Sequence, residues 1–229
     1  KILPNENVYL FDKKTGVKTL NMRNLSPLSL LVLTACGGGN STTSTFLTSA
    51  SGKVIKGPLN NALVGLDYDG DGVVDSATVR TDANGAYSIT TTQKTYTVIA
   101  VTDESTVDTS SGTVLSGVTL KAPEGATVIT PTTTLMKEGN LTVKQVASVL
   151  GLPDGVDPLT FNPYADGVSA SDALAVEKAS QQVMSVVNAF ASAAEGAGAT
   201  EAAAYTAALN SIVEVVKTKA ASSETLDLT

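Results

Sequence analysis

The chain has 229 residues, enough for one or two domains that each bury a core of their own. Aromatic residues make up 4% of it and both tryptophan and histidine are absent, so the cores must be built from small side chains and imidazole chemistry is excluded. A net charge of -7 disfavours nucleic acid and anionic lipid headgroups as partners, and a lone cysteine excludes an intramolecular disulfide, which leaves a divalent metal as the alternative staple.

The first predicted unit spans residues 1–39. Val8-Tyr9-Leu10-Phe11-Asp12 and Val17-Lys18-Thr19-Leu20-Asn21-Met22 are β-prone runs on either side of Lys13-Lys14-Thr15-Gly16, a turn whose glycine suits a positive φ. They predict a β-hairpin. The apolar run 25–35 follows as a candidate strand; Pro27 and Ser29 interrupt it, and it falls short of the about 20 residues a membrane-spanning helix needs. A free-standing hairpin plus one strand is marginal in water, so this arm is expected to pack on something.

Leu33-Thr34-Ala35-Cys36, followed by Gly37-Gly38-Gly39, resembles the cleavage site of a bacterial lipoprotein, which implies Cys36 as an acylated first residue. A signal peptide opens with only a few residues before its apolar core, whereas more than twenty mixed polar residues come first here. Processing would therefore start internally, at Met22-Arg23-Asn24, and the alternative is a segment retained for assembly. A retained arm has two uses beside that of a plain leader. It donates a strand to a neighbouring subunit, where backbone pairing supplies the affinity, or it stays lodged in an outer-membrane export pore.

Residues 40–51 have linker composition, rich in serine and threonine. From 52 to 129 short strands alternate with turn signals, the pattern of an antiparallel β-sandwich. The predicted strands are 53–56, 62–66, 77–80, 86–90, 95–101 and 113–120. Gly57-Pro58-Leu59-Asn60-Asn61 and Asp82-Ala83-Asn84-Gly85 supply the turns between them.

From residue 130 the period changes, and 130–229 is predicted to be a small helical subdomain. The run 128–135, with Thr132-Thr133-Thr134, is expected to be an interdomain strand, with a reactive or glycosylated threonine patch as the alternative. Asn40-Ser41-Thr42 and Asn140-Leu141-Thr142 also fit the glycosylation pattern. Thr142 and Gln145 form a capping box for a helix 143–150 that Gly151 ends. A second helix starts after Ser171 and runs through Leu174, Val183, Val187, Phe190 and Ala194. A third starts after Thr200, with Tyr205, Leu209, Ile212, Val213 and Val216 on one face. Gly196-Ala197-Gly198 between these two predicts a helical hairpin.

The strongest chemical motif is Asp67-Tyr68-Asp69-Gly70-Asp71-Gly72-Val73-Val74-Asp75. Alternating aspartates place hard carboxylate oxygens on one side of a tight loop. Gly72 permits the sharp turn at the sixth position, and Val73 offers its carbonyl at the seventh. The candidate metal ligands are thus Asp67, Asp69, Asp71, Val73 and Asp75, and the ion they suit is Ca2+. Position twelve is Thr78 where a full EF-hand loop has a bidentate glutamate, so Asp75 must compensate or affinity falls. The ion is expected to be structural, since no histidine, paired general acid or nucleophile set accompanies the loop.

With these residues in view, 52–101 resembles the transthyretin-like and Cna-B-like sandwich modules of bacterial surface proteins. Lys53-Val54-Ile55-Lys56-Gly57-Pro58-Leu59 is similar to their opening strand and turn, 67–75 to their aspartate-rich loop, and Thr81-Asp82-Ala83-Asn84-Gly85-Ala86-Tyr87-Ser88-Ile89 to their return strand. The resemblance implies a stalk or spacer in an adhesin, with calcium in that loop in some members. Related modules carry a lysine–asparagine isopeptide bond; Lys53 or Lys56 would be its amine, but no asparagine in a closing strand completes it. The stretch 128–163 resembles the helical insert that follows such sandwiches in large secreted proteins of marine Gram-negative bacteria.

The fold expected from these readings is α+β, an antiparallel β-sandwich followed by a helical subdomain and preceded by a hairpin-and-strand arm. The function expected is structural, that of a non-enzymatic subunit of a bacterial cell-surface filament, surface layer or adhesin stalk that binds copies of itself through the arm. The alternative is a lipid-anchored outer-membrane or periplasmic protein, acylated at Cys36, that binds a carbohydrate or a protein.

Overall fold

The computed structural model describes residues 8–12, 16–20 and 47–226, and the chain divides into two compact units, Lys1–Ser44 and Thr45–Thr229. In the first unit β1 (Val8–Asp12) and β2 (Gly16–Leu20) pair antiparallel, Val8 opposite Leu20 and Asp12 opposite Gly16. The predicted hairpin is present. The apolar run 25–35 and Cys36 lie outside the described residues.

The second unit begins with ten strands, β3 (Thr48–Val54), β4 (Leu59–Asn60), β5 (Leu63–Asp67), β6 (Val79–Arg80), β7 (Ala86–Thr91), β8 (Thr97–Val101), β9 (Val107–Asp108), β10 (Thr113–Val114), β11 (Thr119–Pro123) and β12 (Val128–Ile129). Four helices follow, α1 (Pro131–Gly139), α2 (Val143–Val149), α3 (Ala170–Gly196) and α4 (Glu201–Ser222). The strands form a four-stranded sheet in the order β11-β8-β5-β6, a three-stranded sheet β12-β3-β7 and a smaller one, β10-β9-β4. The architecture is α+β, as expected. One pairing departs from antiparallel: β12 runs parallel to β3, with Val128 opposite Lys53. A parallel neighbour needs a crossover, and the chain from β3 to β12 supplies it by way of the other strands.

Side-chain alternation sets the faces. In β7 Tyr87, Ile89 and Thr91 are buried while Ser88 and Thr90 are exposed, the period of two expected of a half-covered strand. The central strands β5 and β8 are buried almost throughout, as strands covered on both faces are. β3 starts at Thr48, inside the stretch whose composition suggests a linker, because Ser49, Ala50 and Ser51 pair with Thr90, Ile89 and Ser88. Small polar residues serve a linker or a solvent-facing strand equally well. β4 and β9 hide in turn-like sequence and pair only over two residues each.

The threonine run corrects the reading of 128–135 as a strand. Only Val128–Ile129 is extended, and Pro131 opens helix α1 at a position where its missing N–H is not needed. Thr130 is the N-cap: its hydroxyl accepts from the Thr133 N–H at 3.0 Å and the Thr133 hydroxyl accepts from the Thr130 N–H at 2.8 Å. Thr132, Thr133 and Thr134 are all buried, which removes the patch as a surface for modification. Asn140 stands in the left-handed region, φ 49°, as the C-cap of α1.

Helices α2, α3 and α4 fall near their predicted positions, with N-caps Thr142, Ser169 and Thr200. On α4 Tyr205, Leu209, Ile212, Val213 and Val216 are buried together as their spacing predicts. On α3 Val183 and Val187 are buried, whereas Leu174 is 69% and Phe190 54% exposed. No described helix is long and apolar enough to cross a membrane. A single apolar core runs from Val54, Leu66 and Leu120 in the sheets through Leu135 of α1 to Val187 and Ile212 of the helical pair. The helical subdomain is therefore built onto the sandwich.

The junction lies along β11, the outermost strand of its sheet. Alternate residues of that strand point their main-chain groups away from β8. The Lys121 N–H donates to the Thr134 hydroxyl at 2.9 Å, and the Lys121 carbonyl accepts from the Thr133 hydroxyl at 2.8 Å. Pro123, next on that side, has no N–H to leave open. Lys121 also pairs with Glu138 of α1 at 2.7 Å, both side chains mostly covered. An edge otherwise open to strand addition is closed by side chains of the helices.

Candidate metal loop

β5 ends on Asp67, and the chain reaches β6 through the aspartate-rich loop. The loop is pinched at its neck: Asp75 N and Ser76 N donate to the Leu66 carbonyl at 2.8 and 3.1 Å, and the Leu66 N–H donates to the Ser76 hydroxyl at 2.8 Å. Gly65 matters to the closure, because a Cβ there would lie 2.2 Å from Val74 Cγ1; its absence lets Val74 fold back over β5.

Asp67 is 2% exposed, and its two carboxylate oxygens accept the N–H groups of Gly70 at 2.6 Å and Gly72 at 3.0 Å. Asp69 accepts from Asp71 N at 3.1 Å and Asp71 from Val73 N at 2.7 Å. Gly70 and Gly72 hold φ of 83° and 87°, values that side chains rarely tolerate, so the winding of the loop requires them. One oxygen each from Asp67, Asp69 and Asp71 lies within 4.8 Å of the others. Two oxygens that share a calcium ion at about 2.4 Å can be no more than about 4.8 Å apart, so this trio fits a hard cation of that size.

The other two predicted ligands stand differently. Asp75 accepts the Tyr68 N–H at 2.7 Å and serves the neck of the loop, and it is not part of the three-carboxylate group. Val73 is 63% exposed, its N–H committed to Asp71. Asp67, Asp69 and Asp71 are the carboxylates that come together among the described residues, and Thr78 stands in place of the twelfth-position glutamate. Cys36, the candidate lipidation site, lies outside the described residues.

Two features beside the loop are invisible in its spacing. The Lys121 ammonium reaches the loop as well as Glu138, standing 3.5 Å from where a side chain on Gly72 would begin. A cleft of about 240 Å3 opens next to Asp67 and Asp69 and is bordered by Glu124 and Lys137. These groups come from β11, the turn after it and α1, more than forty residues downstream, and no local motif announces them.

At the far end of β6, Arg80 bonds Asp103 at 2.7 Å, the Asn61 carbonyl at 2.6 Å and the Ser105 hydroxyl at 3.0 Å. The hydrogen bond from Arg80, together with those from the Ser105 hydroxyl and N–H, holds the Asp103 carboxyl well below the usual carboxylate range. This cluster ties the loops after β4, β6 and β8 and is half exposed.

Comparison of the chain with protein-family models, curated proteins and solved structures finds no match.

Proposed function

We propose that the chain is a structural subunit of the bacterial cell exterior, a filament, surface-layer or adhesin-stalk protein that assembles with copies of itself through its N-terminal arm. The observation that carries this reading is the division of the chain into a hairpin-bearing unit, Lys1–Ser44, and a larger unit with its own core. A two-stranded hairpin buries too little apolar surface to be stable alone in water, and a neighbour's sheet supplies what it lacks. Contacts that run head to tail without closing build open polymers. Calcium held by Asp67, Asp69 and Asp71 would stiffen the loop that joins β5 to β6, with the neck residues Leu66, Asp75 and Ser76 fixing the carboxylates in place.

The lipoprotein-like Leu33-Thr34-Ala35-Cys36 favours a second reading, an acylated protein anchored in the outer membrane that binds a carbohydrate or a protein. Intact mass and N-terminal mapping of native material, with size analysis with and without a chelator, separates them. A polymer that retains residues 1–35 and loosens on chelation supports the first. A monomer that begins at acylated Cys36 overturns it.

A further inference from the structure

We propose that a cleft beside β3 binds a small organic acid by its carboxylate, with Lys53, the Ser51 N–H, the Tyr87 hydroxyl and the Asn162 amide as the groups that hold it. The site is independent of the assembly reading and of calcium.

The cleft encloses about 560 Å3 among β3, β7, the start of β12 and the segment between α2 and α3, a size suited to a small molecule. Gly52 keeps it clear. A side chain there would start 2.7 Å from the Thr127 carbonyl and 2.9 Å from the Tyr87 hydroxyl.

The donors around it lack partners among the described residues. Val54 N donates to the Gly85 carbonyl at 2.8 Å, so even-numbered residues of β3 turn their main chain to β7 and odd-numbered ones to β12. Lys53 N accordingly donates to Thr127 O at 3.0 Å. At Ser51 β12 has not yet begun, and the Thr127 N–H is drawn away to the Leu159 carbonyl at 2.8 Å, so no described residue meets the Ser51 N–H. The hydroxyls of Tyr68 and Tyr205 have partners, Thr91 and the Thr119 carbonyl, whereas that of Tyr87, a residue 6% exposed, has none among the described residues. Thr132 Oγ1 is the described side-chain oxygen that is both unpartnered and sealed from solvent, so the Tyr87 hydroxyl opens at the surface, beside Gly52. Burial, reinforced by the nearby Tyr96, raises its pKa and keeps it a donor. Asn162 Oδ1 accepts the Tyr164 N–H at 3.0 Å, which fixes the amide and leaves its NH2 group to donate.

The charge of the ligand follows from the lining. Lys53 is the charged residue among those that border the cleft, and it forms no ion pair with a described residue. The cleft beside the metal loop is bordered by three carboxylates, Asp67, Asp69 and Glu124; this one has none, in a chain with 22 acidic and 15 basic residues. Acceptors are also scarce, since Thr127 O and Asn162 Oδ1 are taken by Lys53 N and Tyr164 N. A carboxylate brings one negative charge and about four lone-pair sites, which match one cation and three further donors. A single lysine suits a monoanion better than a doubly charged phosphate. The Ser51 carbonyl remains for a hydroxyl next to the carboxylate.

Amide NMR spectra of the full-length chain, recorded as sodium glucuronate is added at constant ionic strength, test this, with sodium acetate and glucose in parallel. Glucuronate is expected to shift the Ser51, Gly52 and Lys53 amides saturably, with a dissociation constant of about 1 mM, ordinary for a ligand of that size. Glucose, which lacks the carboxylate, is expected to shift none of them. Lys53→Gln is expected to weaken glucuronate about tenfold and Tyr87→Phe about fivefold, each with the remaining spectrum that of the folded chain. Lys144→Gln, at an exposed position of α2, is expected to leave binding unchanged. Acetate bound at least as tightly as glucuronate assigns the site to simple free acids and tighter glucuronate assigns it to sugar acids, and both support the proposal. No saturable shift with either acid, equal shifts with glucose, or undiminished binding by Lys53→Gln overturns it.

Discussion

Tyr205 of α4 donates its hydroxyl proton to the carbonyl of Thr119 on β11 at 2.9 Å, joining residues 86 positions apart. Thr119, Lys121 and Pro123 are the outward-facing positions of that edge strand, so the bond completes the closure that Thr133 and Thr134 begin. Burial of the phenol also pushes its pKa upward, keeping it a donor throughout the neutral range. Tyr205→Phe keeps the ring and deletes the bond. It is expected to cost about 1 kcal/mol, read as a lower denaturation midpoint at unchanged slope.

Two neighbouring threonines should respond oppositely to the same change. The Thr133 hydroxyl accepts from Thr130 N and donates to Lys121 O, so Thr133→Val leaves the buried Thr130 N–H unmet and Lys121 O with only the longer bond from the Thr134 hydroxyl, and is expected to destabilise by about 1–3 kcal/mol. The Thr132 hydroxyl is buried with no partner, so Thr132→Val, of the same shape, is expected to be neutral or to stabilise by up to about 1 kcal/mol. Urea titrations of the two variants beside wild type give the comparison.

Calcium should raise the melting temperature through the three-aspartate loop. At a free concentration one hundred times the dissociation constant the gain is about 2.7 kcal/mol, or about 5–10 °C for a unit of this size. Asp69→Asn, whose carboxylate bonds only within the exposed loop, is expected to remove most of that gain and leave the melt in chelator within about 2 °C of wild type. A calcium-independent melt in the wild type would dismiss the ion.

Asp103 makes stability depend on acid. Its folded pKa lies below the unfolded value because Arg80 and Ser105 favour the charged form, so the contribution is complete above the ordinary carboxylate range and is withdrawn as pH falls below it. The gap in denaturation midpoint between wild type and Asp103→Asn should therefore be constant from about pH 7 to 5 and shrink below about pH 4. The pair is half exposed, so salt should narrow the gap at neutral pH.

Local chemistry made much of this fold readable, and failures came where partners are distant. Thr142 with Gln145 and Thr200 before an alanine-rich run announce their helices, because N-caps act within three residues. The Asp67, Asp69 and Asp71 spacing places three carboxylates together for the same reason. Asp75 accepts the Tyr68 N–H at the neck of the loop, a contact that spacing cannot reveal. The run after Ile129 looks extended because threonine is β-branched. The Thr-Pro pair at 130–131, an N-cap followed by proline at the first helical position, was the contrary signal. Leu174 and Phe190 lie along α3 among apolar residues, yet both are more than half exposed. β11's partners on α1 and α4 are tertiary, so neither the Lys121 bridge nor the sealing of that edge leaves a trace nearby in the chain.

β3 occupies the middle of its sheet, antiparallel to β7 on one side and parallel to β12 on the other, and the chain enters it at Thr48. Tension applied to the chain ahead of Thr48 along the strand axis would bear on the rungs to both neighbours in shear, all at once, where a strand peeled sideways from a margin parts one rung at a time. With sheets and helices sharing one core, yielding at β3 would surrender the whole unit in a single rupture.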